Sequence, residues 1–247
     1  MGDTHFSEKK FDLAPFEGKP RTYYMICSTG RSGSSLLCSL LINTGVMGVP
    51  HEYFFISTHG KPLIARFGIP VTPTLDLNEY FTAIEKWRTT SNGVFGVKAH
   101  INQYLPHLRS GFIKQHFGDL KFVHILRRNV VAQAISFAIA NQTEKWTSHG
   151  TAKKTAEYNF ESILNYIGLI TTQNTVWDQF FTINEISPHV VFYEDLLASP
   201  GNIIQGVVDY VGVDAKVSVG LAGATLDKQG TEINRIWEER LKSELRM

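Results

Sequence analysis

The sequence predicts an α/β fold in which helices cover both faces of a parallel sheet. Short, continuously apolar segments such as Tyr23–Cys27 alternate with longer segments whose apolar residues recur at helical spacing. Parallel strands are buried on both faces, so they occur in sequence as unbroken apolar runs. With 247 residues, of which 43% are hydrophobic, the chain is large enough for one such domain and does not require two.

Apolar spacing and turn signals predict four strands and six helices. The predicted strands are Tyr23–Cys27, Val94–Val97, Lys121–Leu126 and His189–Tyr193. The predicted helices are Ser32–Asn43, Asp76–Arg88, Val130 to about Ala140, Tyr158–Phe181, Asn202–Val211 and Glu232–Leu245. Gly45 stops the first helix, the Asn92-Gly93 pair forms a turn before the second strand, and Asn129 can cap the helix after the third strand.

Composition limits the classes of partner. The formal charge of +1 gives no electrostatic reason to expect nucleic acid or an anionic membrane. The two cysteines, Cys27 and Cys38, form neither a disulfide framework nor a CxxC metal pair. The polar start lacks a signal-peptide core, and no apolar run reaches the roughly 18 residues of a membrane span. We therefore expect a cytoplasmic protein with a single domain over residues 1–247 and a loosely ordered segment over residues 1–20.

Small and hydroxyl residues surround one arginine in the glycine–serine loop, Ser28–Ser35, which follows the first strand. Such a loop lets the backbone approach an anion, and the start of a helix offers it unpaired N–H groups. The loop lacks the GxxxxGK[ST] pattern of a Walker loop and the GxGxxG pattern of a dinucleotide site. It also lacks an arginine six positions after the cysteine, as in a phosphatase loop. Either it binds a phosphate-like group, such as a 5′-phosphosulfate, or it is an ordinary helix start.

A second segment, HILRRNVVAQAISF, has the composition of a phosphate site. Arg127 ends the third strand, Asn129 is a good N-cap, and Ser136 lies two turns into the following helix. An arginine at a strand end and a hydroxyl on the next helix could hold a second phosphate from two sides. The alternative is a solvated arginine pair beside an incidental serine.

Together the segments resemble the bacterial trehalose sulfotransferase family, which includes lipopolysaccharide sulfotransferase-like proteins. The matching motifs are RSGSSLL, GVMGVPHEYF, NGVFGVKAH, LRRNVVAQAISF, ANQTEKW and DKQG…W, in family order from about residue 23 to 240. The resemblance implies the P-loop-like sulfotransferase fold and 3′-phosphoadenosine 5′-phosphosulfate (PAPS) as donor, with 3′,5′-ADP (PAP) as product. It implies no metal, and homodimers occur in the family.

The resemblance also implies which residues bind the donor. The residues that match phosphosulfate contacts are Arg31, Ser32, Gly33, Ser34 and Ser35, and those that match 3′-phosphate contacts are Arg127 and Ser136. Arg128 either shares the second role or faces solvent. Lys228 and Gln229 match a late donor-binding segment in which relatives can carry arginine.

For the chemistry, the family pattern places a general base at Glu52, within PHEYF. Lys98 would stabilise the leaving phosphate oxygen. His100 is the alternative base, because animal cytosolic sulfotransferases use a histidine in a similar Lys-x-His segment. His51 replaces a glutamine that is frequent in relatives and is assigned, with Tyr53 and Trp146, to the acceptor side; Trp146 could equally be a core residue.

The predicted reaction is sulfuryl transfer to a small-molecule acceptor. The acceptor atom would be a hydroxyl oxygen, or an amine or amide nitrogen, of a carbohydrate, glycolipid or small polar natural product. A short acceptor loop is predicted over Thr58–Thr74. The alternative function is a P-loop nucleotide-binding protein or a kinase-like phosphotransferase without sulfuryl transfer.

Overall fold

A four-stranded parallel sheet forms the centre of the computed structural model, which describes residues 5–146, 151–223 and 232–246. Its strands are β1 (Thr22–Ser28), β2 (Val94–His100), β3 (Leu120–Leu126) and β4 (His189–Phe192). Their order across the sheet is β2-β1-β3-β4, and all three pairings are parallel. The predicted α/β class and all four predicted strands are confirmed.

Ten α-helices surround the sheet within the described residues. They are α1 (Ser34–Asn43), α2 (Lys61–Phe67), α3 (Leu77–Arg88), α4 (Ile101–Arg109), α5 (Phe112–Phe117), α6 (Val130–Thr143), α7 (Phe160–Ile183), α8 (Tyr193–Ala198), α9 (Pro200–Val211) and α10 (Glu232–Leu245). The six predicted helices are confirmed to within a few residues at each end. The four that were not predicted, α2, α4, α5 and α8, have nine residues or fewer, too few to show a clear apolar period.

Alternate residues of β1, β2 and β3 pack into two separate cores, one on each face of the sheet. On one face Met25 and Phe122 pack with aromatic residues of α3 and α7, including Trp177. On the other face Ile26 and Val123 pack with apolar residues of α1 and α9. Helices therefore cover both faces, as predicted, and leave the carboxyl ends of the strands as the edge where a ligand can bind.

The prediction of a loop over Thr58–Thr74 is wrong for most of that stretch. A π-helical turn spans Ile56–Gly60, and α2 follows directly and ends at Gly68, whose φ is 64°. Leu63 is fully buried, which anchors the helix to the core beneath it. Pro62 lies in the first turn of α2, where proline is favoured, but this signal was not recognised in the sequence.

The prediction of a loosely ordered amino-terminal segment is wrong for the described residues 5–20. Two short 3₁₀ turns, His5–Ser7 and Lys9–Phe11, bring the rings of Phe6 and Phe11 into the core. The segment is ordered because the fully buried Arg88 donates a hydrogen bond to the Phe6 carbonyl at 2.9 Å. Polar composition alone did not reveal this contact with a residue 82 positions away.

No helix within the described ranges is both long enough and apolar enough to cross a bilayer.

Candidate active site

The glycine–serine loop leaves the carboxyl end of β1 and turns sharply before α1. Arg31 and Gly33 have φ values of 65° and 92°, in the left-handed region, which is why α1 begins at Ser34 and not at Ser32 as predicted. A Cβ atom on Gly33 would lie 2.3 Å from the Tyr193 ring. Only glycine therefore fits at position 33, and the loop backbone is held against that ring.

Arg31 extends from this loop toward α6. Its Nε donates to Ser136 Oγ at 3.0 Å, and its Nη1 donates to the Trp146 carbonyl at 2.5 Å. Burial, with a further contribution from the charge of Arg127, lowers the pKa of Arg31 to about 10. Arg31 and Ser136, assigned from the sequence to different phosphates of the donor, are thus directly hydrogen-bonded to each other.

Arg127 follows β3 and stacks on the same tyrosine that contacts the loop. Its guanidinium carbon lies 4.9 Å from the centroid of the Tyr193 ring, and burial lowers its pKa. Its Nε and the Ser32 hydroxyl are buried, and neither has a hydrogen-bond partner among the described residues. Since buried donors are nearly always satisfied in folded proteins, these two fit an anionic ligand that accepts from them.

The remaining donor residues assigned from the sequence lie elsewhere. Arg128 points to the exposed edge, where Nη1 and Nη2 each lie 2.7 Å from a different carboxylate oxygen of Asp195. This bidentate pair engages both terminal nitrogens of Arg128. The side chain therefore faces solvent, which is the second of the two roles considered for it. Lys228 and Gln229 lie outside the described residues.

Glu52 and Lys98 form an ion pair at the carboxyl end of β2. The Lys98 backbone N–H donates to the His51 carbonyl at 2.9 Å, which sets the two side chains beside each other. Lys98 Nζ lies 2.6 Å from Glu52 Oε1 and also donates to Ser35 Oγ at 3.1 Å. Burial alone would raise the pKa of Glu52, but Lys98, His100 and His59 together outweigh it and hold that pKa well below its usual value, with Lys98 making the largest of these contributions. The lysine therefore connects the predicted base to the first turn of α1.

The other oxygen of Glu52 contacts α4. Gln103 Nε2 donates to Glu52 Oε2 at 2.7 Å, and Gln103 Oε1 accepts from the His100 backbone N–H at 3.0 Å. The amide is therefore fixed at both ends and holds the carboxylate in one orientation. Gln103 was not predicted, although a glutamine three residues after a helix N-cap is the signature of a capping box.

His100 lies beside the carboxylate and is itself held in one orientation. Its Nδ1 is 3.1 Å from the Ser28 carbonyl, which can only accept, so Nδ1 carries a proton, and in the neutral ring Nε2 then has a lone pair. Burial lowers the pKa of His100, although Glu52 opposes this effect. His100 Nε2 is 3.8 Å from Glu52 Oε2. Both candidate bases therefore lie at the same place, and the geometry alone does not choose between them.

One cavity of about 370 Å³ joins these groups. Arg31, Ser34 and Ser35 line it from the donor side, and Glu52, Lys98 and His100 line it from the end of β2. Its other lining residues include His51, Gln103, Gln173 and the aromatic side chains of Phe6, Phe55, Phe137 and Trp146. The cavity thus combines cations, a carboxylate and flat apolar surfaces.

Of the three residues predicted to contact the acceptor, Tyr53 does not line the cavity. It is fully buried outside the cavity lining, stacks on Phe95, and its hydroxyl donates to the Val49 carbonyl at 2.5 Å. The aromatic neighbour of Glu52 therefore supports the loop from the core side. His51 and Trp146 do line the cavity.

Comparison with known proteins identifies the family of the chain. The family model described as Stf0 sulphotransferase matches residues 23–244. The chain belongs to the Stf0 sulphotransferase family. The resemblance drawn from the motifs is confirmed, and the protein is a sulfotransferase.

Two curated relatives of this Stf0 sulphotransferase cover almost its whole length. It is 30% identical over 255 residues to the trehalose 2-sulfotransferase of Mycobacterium tuberculosis, and the alignment covers 90% of this chain and 94% of that protein. It is 27% identical to the trehalose 2-sulfotransferase of Mycolicibacterium smegmatis, with the same two coverages. The kinase-like alternative is not favoured.

The fold of this Stf0 sulphotransferase is also found in a solved structure. The sulfotransferase domain from the curacin biosynthetic pathway matches with a TM-score of 0.55 and 13% identity, covering 92% of this chain and 98% of that one. At this identity the match supports the sulfotransferase fold alone.

Proposed function

We propose that the enzyme transfers a sulfuryl group from PAPS to a hydroxyl of a small saccharide. The observation that carries this proposal is the Glu52–Lys98 ion pair, which lies in the same cavity as the glycine–serine loop. A proton acceptor and an anion-binding loop at one site are what a group transfer to a hydroxyl requires.

On the donor side, Arg31 and residues 32–35 would hold the phosphosulfate. Arg127, with Ser136 beside Arg31, would hold the 3′-phosphate. The Nε of Arg127 and the hydroxyl of Ser32 support this assignment, because both are buried donors without a hydrogen-bond partner in the part of the chain that the structure describes. Bound there, PAPS supplies a sulfuryl group whose bond to the 5′-phosphate oxygen breaks as the acceptor oxygen bonds to sulfur.

On the acceptor side, Glu52 would take the proton of the attacking hydroxyl. Its carboxylate is ionised well below neutral pH, and Gln103 fixes its direction. The Lys98 ammonium, which contacts both Glu52 and Ser35, is placed to stabilise the negative charge that develops on the leaving phosphate oxygen. His100 remains the alternative base.

The acceptor is proposed to be a disaccharide of the trehalose type. Both curated relatives are named trehalose 2-sulfotransferases and match nine-tenths of the chain. The aromatic side chains of Phe6, Phe55 and Trp146 in the cavity wall suit a sugar ring, whose carbon-bound hydrogens pack on aromatic faces while its hydroxyls need polar partners.

The test is transfer of isotope-labelled sulfate from PAPS to a panel of mono-, di- and trisaccharides, with ATP carrying a labelled γ-phosphate in a parallel reaction. Labelled sulfate on a disaccharide is the expected result. Labelled phosphate on any acceptor, with no sulfate transfer, would contradict the proposal.

If Arg127 and Arg31 bind different phosphates of the donor, their alanine variants should differ in how they bind nucleotides with and without a 3′-phosphate. In Arg127→Ala, loss of a charge-assisted contact worth about 1.5–3 kcal/mol is expected to weaken 3′,5′-ADP roughly 10- to 150-fold. Binding of 5′-AMP, which lacks the 3′-phosphate, should barely change. Arg31→Ala is the matched comparison and should weaken both nucleotides, because both carry a 5′-phosphate.

Calorimetry on the two variants with the two nucleotides checks this expectation. Equal loss of both nucleotides in Arg127→Ala would show that Arg127 acts by holding Tyr193 and the loop in place, and not by binding the 3′-phosphate.

A further inference from the structure

The amino-terminal strap, defined here as residues 6–12, forms part of the wall of the active-site cavity. Phe6 lines the cavity and is only 5% exposed, and its ring packs edge-on against His51 with 5.6 Å between ring centroids. His51 directly precedes Glu52 in the chain. The strap therefore lies against the segment that carries the proposed base.

Two arginines from the body of the domain hold the strap. Asp12 Oδ1 lies 2.8 Å from Arg88 Nη2 and 2.9 Å from Arg66 Nη2. The same arginines donate to strap carbonyls, Arg88 to Phe6 at 2.9 Å and Arg66 to Ser7 at 2.5 Å. Arg88 is fully buried, and its contacts and those of Arg66 are charge-assisted. Both ends of the strap are therefore bonded to the body of the domain.

Ser7 attaches the strap to the segment around Glu52. Its hydroxyl donates to the His59 carbonyl at 3.1 Å and lies 3.2 Å from His51 Nε2. Since the single hydroxyl proton goes to the carbonyl, Ser7 accepts from His51 Nε2–H, so that ring nitrogen carries a proton. Burial, with a contribution from His59, holds the pKa of His51 well below its usual value, which agrees with a neutral ring.

We propose that Phe6 is a specificity-determining residue, whose ring closes the acceptor side of the cavity and limits the size of the saccharide that reaches Glu52. The inference rests on the proposed function for the identity of the acceptor. What it adds is that Phe6, a residue outside every sulfotransferase motif in the sequence, shapes the acceptor site.

Phe6→Ala tests the inference, and Phe11→Ala is the matched control. Phe11 is equally buried, at 7%, and its ring lies 5.1 Å from that of Phe6, but it is not among the cavity-lining residues. We expect Phe6→Ala to raise the ratio of kcat/KM for a trisaccharide to that for a disaccharide by on the order of 10- to 200-fold, the range for small changes in an apolar pocket. Phe11→Ala should leave that ratio unchanged while lowering the melting temperature comparably. The same ratio in both variants would overturn the proposal.

A labelling experiment separates this inference from the proposed function. The native Cys27 and Cys38 are fully buried, so a thiol introduced by Phe6→Cys can be followed against a low background. Iodoacetamide should alkylate Phe6→Cys much faster than Phe11→Cys, and alkylation should leave 3′,5′-ADP binding intact.

If the wild-type enzyme transfers sulfate to no saccharide, the proposed function fails, while the labelling rates still show whether position 6 faces the cavity. Equal labelling at positions 6 and 11, or slower labelling at position 6, would overturn the inference even if sulfate transfer to a disaccharide is found.

Discussion

Glu52→Gln is expected to lower kcat for sulfuryl transfer by about 10²–10⁴-fold while leaving 3′,5′-ADP affinity nearly unchanged. The amide keeps the shape of the carboxylate and can still accept from Gln103, but it cannot take the proton of the attacking hydroxyl. We expect nucleotide affinity to be independent of Glu52, because the residues assigned to the donor lie on the glycine–serine loop, directly after β3 and on α6, whereas the Glu52 carboxylate is bonded to Lys98 and Gln103. Steady-state kinetics with the saccharide acceptor, together with calorimetry of 3′,5′-ADP binding, measure the two quantities separately.

His100→Ala is the comparison that makes this result decisive. His100 Nε2 lies 3.8 Å from the same carboxylate oxygen and carries a lone pair, so it could take the proton instead. With Glu52 as the base, His100→Ala should retain much more activity than Glu52→Gln. The reverse order would assign the base to His100 and leave Glu52 as the partner that orients it.

Lys98→Met is expected to lower kcat by about 10²–10³-fold, the usual cost of removing a group that stabilises charge developing in a transition state. Methionine keeps the unbranched stem in a position where Lys98 is only 3% exposed, so the packing changes little. Lys121→Met, on β3, is the matched control, because Lys121 is partly exposed and paired with Asp119 outside the cavity. Its kcat should be unchanged.

The same variant should move the acidic limb of the pH–rate profile. The Lys98 ammonium makes the largest of the contributions, shared with His100 and His59, that hold the pKa of Glu52 below its usual value of 4.5 against the opposing effect of burial. Without that charge, burial raises the pKa of Glu52, so the carboxylate becomes protonated at higher pH and activity is lost earlier on acidification. If the acidic limb stays where it is in the wild type, Glu52 is not the group that titrates in catalysis.

The sequence predicted the sheet and the ends of its strands because apolar runs and glycine turns are local signals. Glu52, Lys98 and the glycine–serine loop could be assigned because each lies in a short motif next to a predicted strand. The bond from Arg31 to Ser136 joins residues 105 positions apart and has no local signature. The same is true of Tyr193, which reads as the end of a strand but supports both the loop and Arg127.

The amino-terminal strap shows why composition alone was misleading. Its polar residues predict solvent exposure, yet Asp12 and Ser7 are where the strap attaches to Arg66, Arg88 and His51. A charged residue becomes an attachment point only when the fold supplies an opposite charge, and those arginines lie on α2 and α3, many residues away. Tyr53 was misassigned for a different reason. It lies in the motif that contains Glu52, but it is buried and packs in the core, because a functional motif also includes residues that only support the fold.

The most direct test of the account is the structure of the enzyme bound to 3′,5′-ADP and a disaccharide acceptor. The 5′-phosphate is expected against Arg31 and the first turn of α1, with one acceptor hydroxyl within about 2.6–3.2 Å of a Glu52 carboxylate oxygen, on the side of the cavity formed by Phe6. A nucleotide bound away from the glycine–serine loop, or a disaccharide whose hydroxyls all lie beyond hydrogen-bond distance of both Glu52 and His100, would contradict it.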